Sequence, residues 1–367
     1  MKGRIVVKVG SNVLTRPDGM LDVTRQSAIV DQIAELTKRG LEVVLVSSGA
    51  VASGRGELRG MPGTERLDAV EARQLFSAVG QAKLINRYYE LFREHNIHCG
   101  QVLATKENFA DRRSYLNQQG CMNTMLAHKV VPVVNENDTV SLSELMFTDN
   151  DELSGLIAGM MNADKLIILS NIDGMYTGNP DDHDSVLIPR IRPDDDPSAF
   201  VSAEKSSLGR GGMLSKCRIA RLVAAEGIEV IIANGRRENI LTALADNADV
   251  PHTVFEAAAR PASGLKKWIA HSDGFAKGSI HVNQGCAEAL TTGASLLPVG
   301  VTAVEGSFKT NDIVTIINPE GHTVAWGKAT CDSGTAQETA GKPGMPVLVH
   351  ADYMFLNPER LYSSPKS

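Results

Sequence analysis

Short apolar runs alternate with amphipathic stretches through the first two-thirds of the chain. Residues 4–9 (RIVVKV) are brief and β-branched, as expected of a buried strand. A helix follows. Asp22 can cap it, Ile29, Val30, Ile33 and Leu36 share one apolar face, and Lys38 and Arg39 fill the last turn before Gly40. The same pattern predicts strands at 42–47, 99–103, 130–134, 165–169 and 229–233, and helices at 67–94, 112–128, 151–162 and 213–226. Strands that are apolar throughout and separated by helices form a mostly parallel sheet with both faces covered. The first part of the chain therefore reads as an α/β domain.

The pattern changes near residue 257. Residues 257–278 are small and polar around one anchoring Trp268, which suits a linker. Beyond them, 278–282, 312–317 and 323–325 read as short strands separated by turn signals such as Asn318-Pro319-Glu320-Gly321. We expect a catalytic-sized domain at 1–257, a linker at 258–277 and a small β-rich domain at 278–355, then a frayed tail. Residues 193–212 form a separate polar, Gly- and Ser-rich insertion in the first domain.

Composition narrows the function classes. At 367 residues, with 43% hydrophobic and 22% charged residues, the chain is neither disordered nor collagen-like. Lys and Arg total 37 against 43 Asp and Glu, a net −6 that argues against wholesale polyanion binding. The longest apolar runs are too short to cross a membrane, and the N-terminus enters a strand at once rather than a signal sequence. Cys99, Cys121, Cys217, Cys286 and Cys331 are scattered and never spaced as CxxC, so a reduced cytoplasm is the natural compartment. His95 and His98 have no third ligand nearby and read as a solvated helix end, and the clustered methionines as core filler.

Open parallel sheets bind ligands at the carboxyl ends of their strands. Lys8, Gly10, Ser11 and Asn12 follow the first strand and Ser47, Ser48, Gly49 and Ala50 the second. Asn135-Glu136-Asn137-Asp138, then Asp149-Asn150-Asp151, then Ser170, Asn171, Asp173 and Gly174 stand after later strands or before a helix. So many small, amide and carboxylate residues at strand ends are hard to explain by packing. No GxGxxG follows a strand, no GxxxxGK[ST] occurs, and the serines of SSGA lack the GxSxG frame. Two other phosphate devices remain. Gly10 lets backbone amides approach an anion beside Lys8, a lysine that is costly in an apolar run unless something anionic meets it. In GRGGMLSK, glycines precede a helix whose N-terminus could hold an anion, with Lys216 one turn inside. An exposed edge or ion pair would also account for Lys8, a flexible linker for the glycines, and helix capping or an Asx turn for Asp149, Asn137 and Asp138.

In order along the chain, VVKVGSNVLT, LVSSGAVASG, PVVNENDTVS, FTDNDELSG, LSNIDGMYTGNP and GRGGMLSK resemble the glutamate 5-kinases, a family of the amino-acid kinase superfamily. The resemblance covers nearly the whole chain, and residues 278–355 resemble a PUA domain. Aspartokinases and acetylglutamate kinases fit less well, because they usually show a double glycine where this chain has Val9-Gly10-Ser11. The resemblance implies a three-layer αβα sandwich with a mostly parallel central sheet (the amino-acid kinase fold) plus a β-rich PUA domain. It also implies ATP-dependent phosphorylation of the side-chain carboxylate of L-glutamate, the first step towards L-proline, with Mg²⁺. A glutamate side chain, with a reference pKa of about 4.3, is already ionised at neutral pH, so no general base is required.

The resemblance assigns roles residue by residue. Lys8, Lys216 and Asp151 would be catalytic, the aspartate holding the two lysines. Ser48, Asp138 and Asn150 would bind glutamate. Lys8, Gly10, Ser11, Ser170, Asn171, Arg210, Gly211, Gly212, Met213, Leu214, Ser215 and Lys216 would form the nucleotide site. Asn171 stands where the family usually has Asp, and Arg210 where it commonly has Thr, which changes the charge available to ribose or phosphate. A homo-oligomer (dimer or tetramer), feedback inhibition by L-proline and transient contact with glutamate 5-semialdehyde dehydrogenase are further implications. RNA binding through residues 278–355 is the competing hypothesis. Few basic residues (Lys309, Lys328, Lys342) and no aromatic-basic interleaving weigh against it.

Overall fold

The computed structural model describes residues 3–140, 150–193, 195, 213–259, 262–271 and 276–358. They fall into two compact units that part between residues 258 and 259; residue 195 and the short segment 225–227 go with the second.

The first unit is built on ten strands: β1 (Arg4–Val9), β2 (Glu42–Ser47), β3 (His98–Ala104), β4 (Val130–Glu136), β5 (Lys165–Ser170), β6 (Met175–Tyr176), β7 (Leu187–Ile188), β8 (Arg190–Ile191), β9 (Glu229–Asn234) and β10 (His252–Phe255). Its helices are α1 (Ser11–Leu14), α2 (Val23–Lys38), α3 (Ala50–Glu57), α4 (Ala69–Glu94), α5 (Lys106–Ala110), α6 (Arg112–Ala127), α7 (Asn150–Met160), α8 (Met213–Ala225) and α9 (Ile240–Ala245). Eight strands form one sheet in the order β3-β4-β2-β1-β5-β9-β10-β8, while β6 and β7 make a separate hairpin. The strands from β3 to β9 run parallel, as expected from sequence. One strand in from the far edge, β10 pairs antiparallel with β9, a turn of topology that its four residues, HTVF, are too short to announce.

The period of two along β1 divides its side chains between two layers. Ile5, Val7 and Val9 join Ile29 and Ile33 of α2 and Leu84, Tyr88 and Phe92 of α4 in one buried cluster. Val6 and Lys8 point the other way, towards α7, which packs along β1, β2, β4 and β5. Helices thus cover both faces. Asp22 caps α2 by accepting from the Arg25 amide at 2.9 Å, and Asp68 and Glu71 form a capping box at the start of α4. With β2 on one side of β1 and β5 on the other, the chain order reverses at β1. Such a switch point opens a crevice at the carboxyl ends of the strands.

The second unit carries β11 (Gly278–Val282), β12 (Val301–Gly306), β13 (Ile313–Ile317), β14 (Thr323–Ala329) and β15 (Val349–Leu356), with α10 (Gly264–Ala270), α11 (Gln284–Thr291) and α12 (Ser333–Thr339). The strands form one sheet in the order β12-β11-β13-β14-β15 around a core that includes Ile280, Val314, Ile316, Ala325 and Val349. The short helices are absent from the sequence reading because seven or eight residues show too little periodicity. One of them, α10, lies in residues 258–277; Ser263 caps it and Trp268 is buried on it.

Candidate active site

The carboxyl ends of β1, β2, β4 and β5 open into a cavity of about 680 Å³ in the first unit. Lys8, Gly10, Ser11, Ser48, Asp138, Asn150, Asp151, Ser170, Asn171, Met213 and Lys216 all line it, so the structure gathers these sequence candidates in one place. Ser215 sits in the first turn of α8 without lining the cavity. Arg210, Gly211, Gly212 and Asp149 lie outside the described residues, as does the side chain of Leu214.

The register of β1 brings Lys8 to the last turn-facing position on the α7 side. There its Nζ lies 2.5 Å from Asp151 Oδ1, and Lys216 Nζ from α8 lies 3.0 Å from Oδ2 of the same carboxylate. Asp151 is fully buried and both lysines nearly so. Burial pushes the Asp151 carboxyl up, but the two ammonium groups outweigh it and hold the group below its ordinary value. Two cations thus meet one anion at the cavity wall. An unpaired lysine this deep would be prohibitive, so the aspartate is what makes a pair of cations tenable here.

Beside them, Gly10 accepts from the amides of Val13 and Leu14 and starts α1. Its own conformation, φ −70° and ψ 153°, is open to any residue. Space is what restricts the position: a Cβ would stand 3.2 Å from the Leu169 carbonyl oxygen and 3.5 Å from Lys8 Nζ. Gly49 does need its freedom, with φ at 109° as the chain turns from β2 into α3.

Asn150, at the start of α7, ties the ends of β2 and β4 together. Its Nδ2 donates to the Ser47 carbonyl at 3.2 Å, to Ser48 Oγ at 3.0 Å and to Asn135 Oδ1 at 3.0 Å. Asn135 in turn donates to Gln81 Oε1 of α4 at 2.8 Å. Ser47 Oγ is 2.7 Å from the buried Tyr88 hydroxyl, which anchors the end of β2 to α4.

A second charged cluster faces the same cavity. Arg73 of α4 donates from Nε to Asp138 Oδ1 at 2.7 Å and from Nη2 to Glu136 Oε2 at 2.8 Å. Ser77, one turn on, donates to Asp138 Oδ2 at 2.9 Å. Both carboxylates are buried. Asp138 is thus held by side chains from another helix, while Asn137 Oδ1 accepts from the Thr139 hydroxyl at 2.6 Å.

Residues 3–234 match the amino acid kinase family and residues 278–345 the PUA domain. Glutamate 5-kinase from Bacteroides thetaiotaomicron is 60% identical over 96% of this chain and 98% of its own length. This chain belongs to the glutamate 5-kinase family. A further member, from Chlorobaculum tepidum, is 45% identical over 97% of this chain and 98% of its own. Among solved structures, carbamate kinase from Giardia lamblia is 18% identical with a TM-score of 0.50, covering 70% of this chain and 99% of that one; at that distance it shows the fold alone.

The family resemblance read from sequence therefore holds, as do the αβα fold and the β-rich PUA unit. Sequence reasoning missed Arg73. It had noted Asn135 and Glu136 within a motif without giving them a role. Shortly after β5, Asp173 accepts from Arg237 Nε and Nη2, both at 2.7 Å, and from Asn234 at 3.1 Å. Those bonds, Arg237 first, hold its carboxyl below the ordinary value. Asn171 has no charge of its own, but a carboxylate stands two residues on, already committed to an arginine.

No group of three or more His, Cys, Asp or Glu side chains among the described residues is placed to hold a metal ion. Nor does any described helix have the length and apolar character to cross a membrane. None of the five cysteines forms a disulfide.

Proposed function

We propose that this chain transfers the γ-phosphoryl group of ATP to the side-chain carboxylate of L-glutamate, giving γ-glutamyl phosphate and ADP, the first step towards L-proline. The observation that carries the reading is the Lys8–Asp151–Lys216 cluster, two ammonium groups fixed by one buried carboxylate at the strand ends. A carboxylate oxygen of the substrate attacks the γ-phosphorus, and the bond from that phosphorus to the β–γ bridging oxygen breaks. Both reactants are anions, and the nucleophile needs no deprotonation. The task of the protein is to align them and to offset charge as it moves.

Each residue then has a place. Lys8 meets the β- and γ-phosphoryl oxygens, with the Gly10 and Ser11 amides nearby, and Lys216 meets charge on the ADP side. Asp151 keeps the two lysines together against their repulsion. Ser48, Asn150 and Asp138 hold glutamate, the last through the substrate ammonium. Ser170, Asn171 and the segment 210–216 form the nucleotide site. Mg²⁺ usually reaches such sites on the phosphates with several waters of its own. The described residues offer it no dedicated cage, and no step above runs through it.

The domain boundaries 1–257, 258–277 and 278–355, a cytoplasmic location, a homo-oligomeric state, feedback inhibition by L-proline and hand-over of the labile product to glutamate 5-semialdehyde dehydrogenase belong to the same reading. ATP turnover with Mg²⁺ and hydroxylamine tests it, because hydroxylamine traps an acyl phosphate as a coloured hydroxamate. Hydroxamate with L-glutamate, and not with L-aspartate or N-acetyl-L-glutamate, is the expected result. ADP without hydroxamate would move the acceptor elsewhere. Salt-dependent RNA retention without turnover would favour the RNA hypothesis.

A further inference from the structure

Arg73 stands out among the cavity residues because nothing in the phosphoryl transfer uses it. It reaches the cavity from the first turns of a 26-residue helix and meets two carboxylates that arrive together after β4. The bonds to Asp138 and Glu136 engage Nε and Nη2; Nη1 takes no part in them. About 28% of the side chain remains exposed, against 3% for Glu136 and 7% for Asp138. Two acids therefore stand beside one guanidinium, a cation with donors to spare.

That arrangement is complementary to the head group of a free α-amino acid, which carries an ammonium and a carboxylate on one carbon. We infer that Arg73 is a specificity-determining residue: it fixes Glu136 and Asp138 around the substrate ammonium and donates its remaining N–H groups to the substrate α-carboxylate. The inference rests on the proposed reaction and adds a reader for the end of the substrate that does not react. A lone acid would attract any amine. Acid and arginine together reject an acceptor lacking either charge, because the missing group leaves a buried partner unsatisfied. The side-chain carboxylate stays free for the Lys8 end of the cavity.

The test is hydroxamate formation by the full-length protein with three acceptors: L-glutamate, glutarate (no ammonium) and L-isoglutamine (α-amide in place of α-carboxylate). The wild type should prefer L-glutamate to both. In Arg73→Met the KM for L-glutamate should rise about 10- to 100-fold, the range for a lost hydrogen bond to a charged group, with a smaller change in kcat. Its preference for L-glutamate over L-isoglutamine should collapse. Arg73→Lys keeps the cation without the fork and should recover part of the KM while discriminating poorly against L-isoglutamine. Arg73→Lys also serves if Arg73→Met fails to fold. Unchanged preference in either folded variant, or a fall in kcat with KM intact, would overturn the inference. No hydroxamate from the wild type with any acceptor would instead overturn the reaction on which it rests.

Discussion

The two charged clusters in the cavity are near mirror images. On one side a single carboxylate, Asp151, holds two cations. On the other a single cation, Arg73, holds two carboxylates. The majority charge is opposite in the two clusters. A polyphosphate suits the first and an ammonium the second. In the proposed reaction, a zwitterionic acceptor would place its ammonium at the acids and its reactive carboxylate towards the lysines. In both clusters the minority charge is what lets the majority pair lie so close.

The largest effects should come from breaking the cationic side. Lys8→Ala or Lys216→Ala should lower kcat by at least roughly 10²-fold, the scale for losing one donor to developing charge. Single-turnover hydroxamate formation on the folded variants checks this, and near-normal rates would remove the lysine assignments. Asp151→Ala goes further, because it leaves two buried ammonium groups facing one another. A stability loss of about 3–5 kcal/mol is expected, read from urea midpoints, in addition to the loss of turnover. If instead Asp151→Ala were as stable as the wild type, the two lysines would not depend on it and the comparison of the clusters would fail.

Acid sharpens the same contrast. A carboxyl whose folded pKa lies below its unfolded value stabilises the fold at every pH above the unfolded value, and that contribution drains away as pH falls through the folded one. Asp151 is held below 3.8 by its lysines, so its contribution is intact at neutral pH and is lost only in the acid range beneath that value. Urea midpoints measured from pH 6 down to about pH 3 should fall in the wild type, with part of that slope missing in Asp151→Asn. Equal slopes in the two proteins would show that the carboxyl titrates alike folded and unfolded.

The clusters also differ in how far the sequence announces them. Lys8 interrupts a run of Val and Ile, and a charge there asks for a partner. Asp151 and Lys216 each stand in the first turn of a helix, and Lys216 follows a glycine pair, where anion sites are built. Arg73 gives no such sign. It lies in a helix rich in Glu, Arg and Lys, where a charge ordinarily faces solvent, and its partner Asp138 is 65 residues on. Only the packing of α4 against the end of β4 gives it a meaning. The fold shows the same division. The parallel strands are apolar blocks long enough to read, whereas the antiparallel β10 and the short helices of the second unit depend on contacts that periodicity does not carry.

The smallest effect should come from the anchor that both clusters share. Tyr88 belongs to α4, the helix of Arg73, and its hydroxyl meets Ser47 at the end of β2, next to Ser48. Burial, against the Ser47 hydrogen bond, pushes the Tyr88 hydroxyl up to about 12, so it stays protonated throughout the working range. Tyr88→Phe removes one hydrogen bond and leaves the ring in place beside Phe92. Ser47 Oγ keeps its bond to the Ser48 carbonyl, at 2.9 Å, while the buried Gln26 amide loses the hydroxyl as a neighbour. A loss of about 1 kcal/mol is expected, constant between pH 6 and pH 9. The KM for L-glutamate should shift by no more than a few-fold, because Asn150 still holds Ser48 from the other side. A KM change as large as that expected for Arg73→Met would mean that α4 sets the position of the glutamate site through Tyr88 as much as through Arg73, and the two clusters would have to be treated as one.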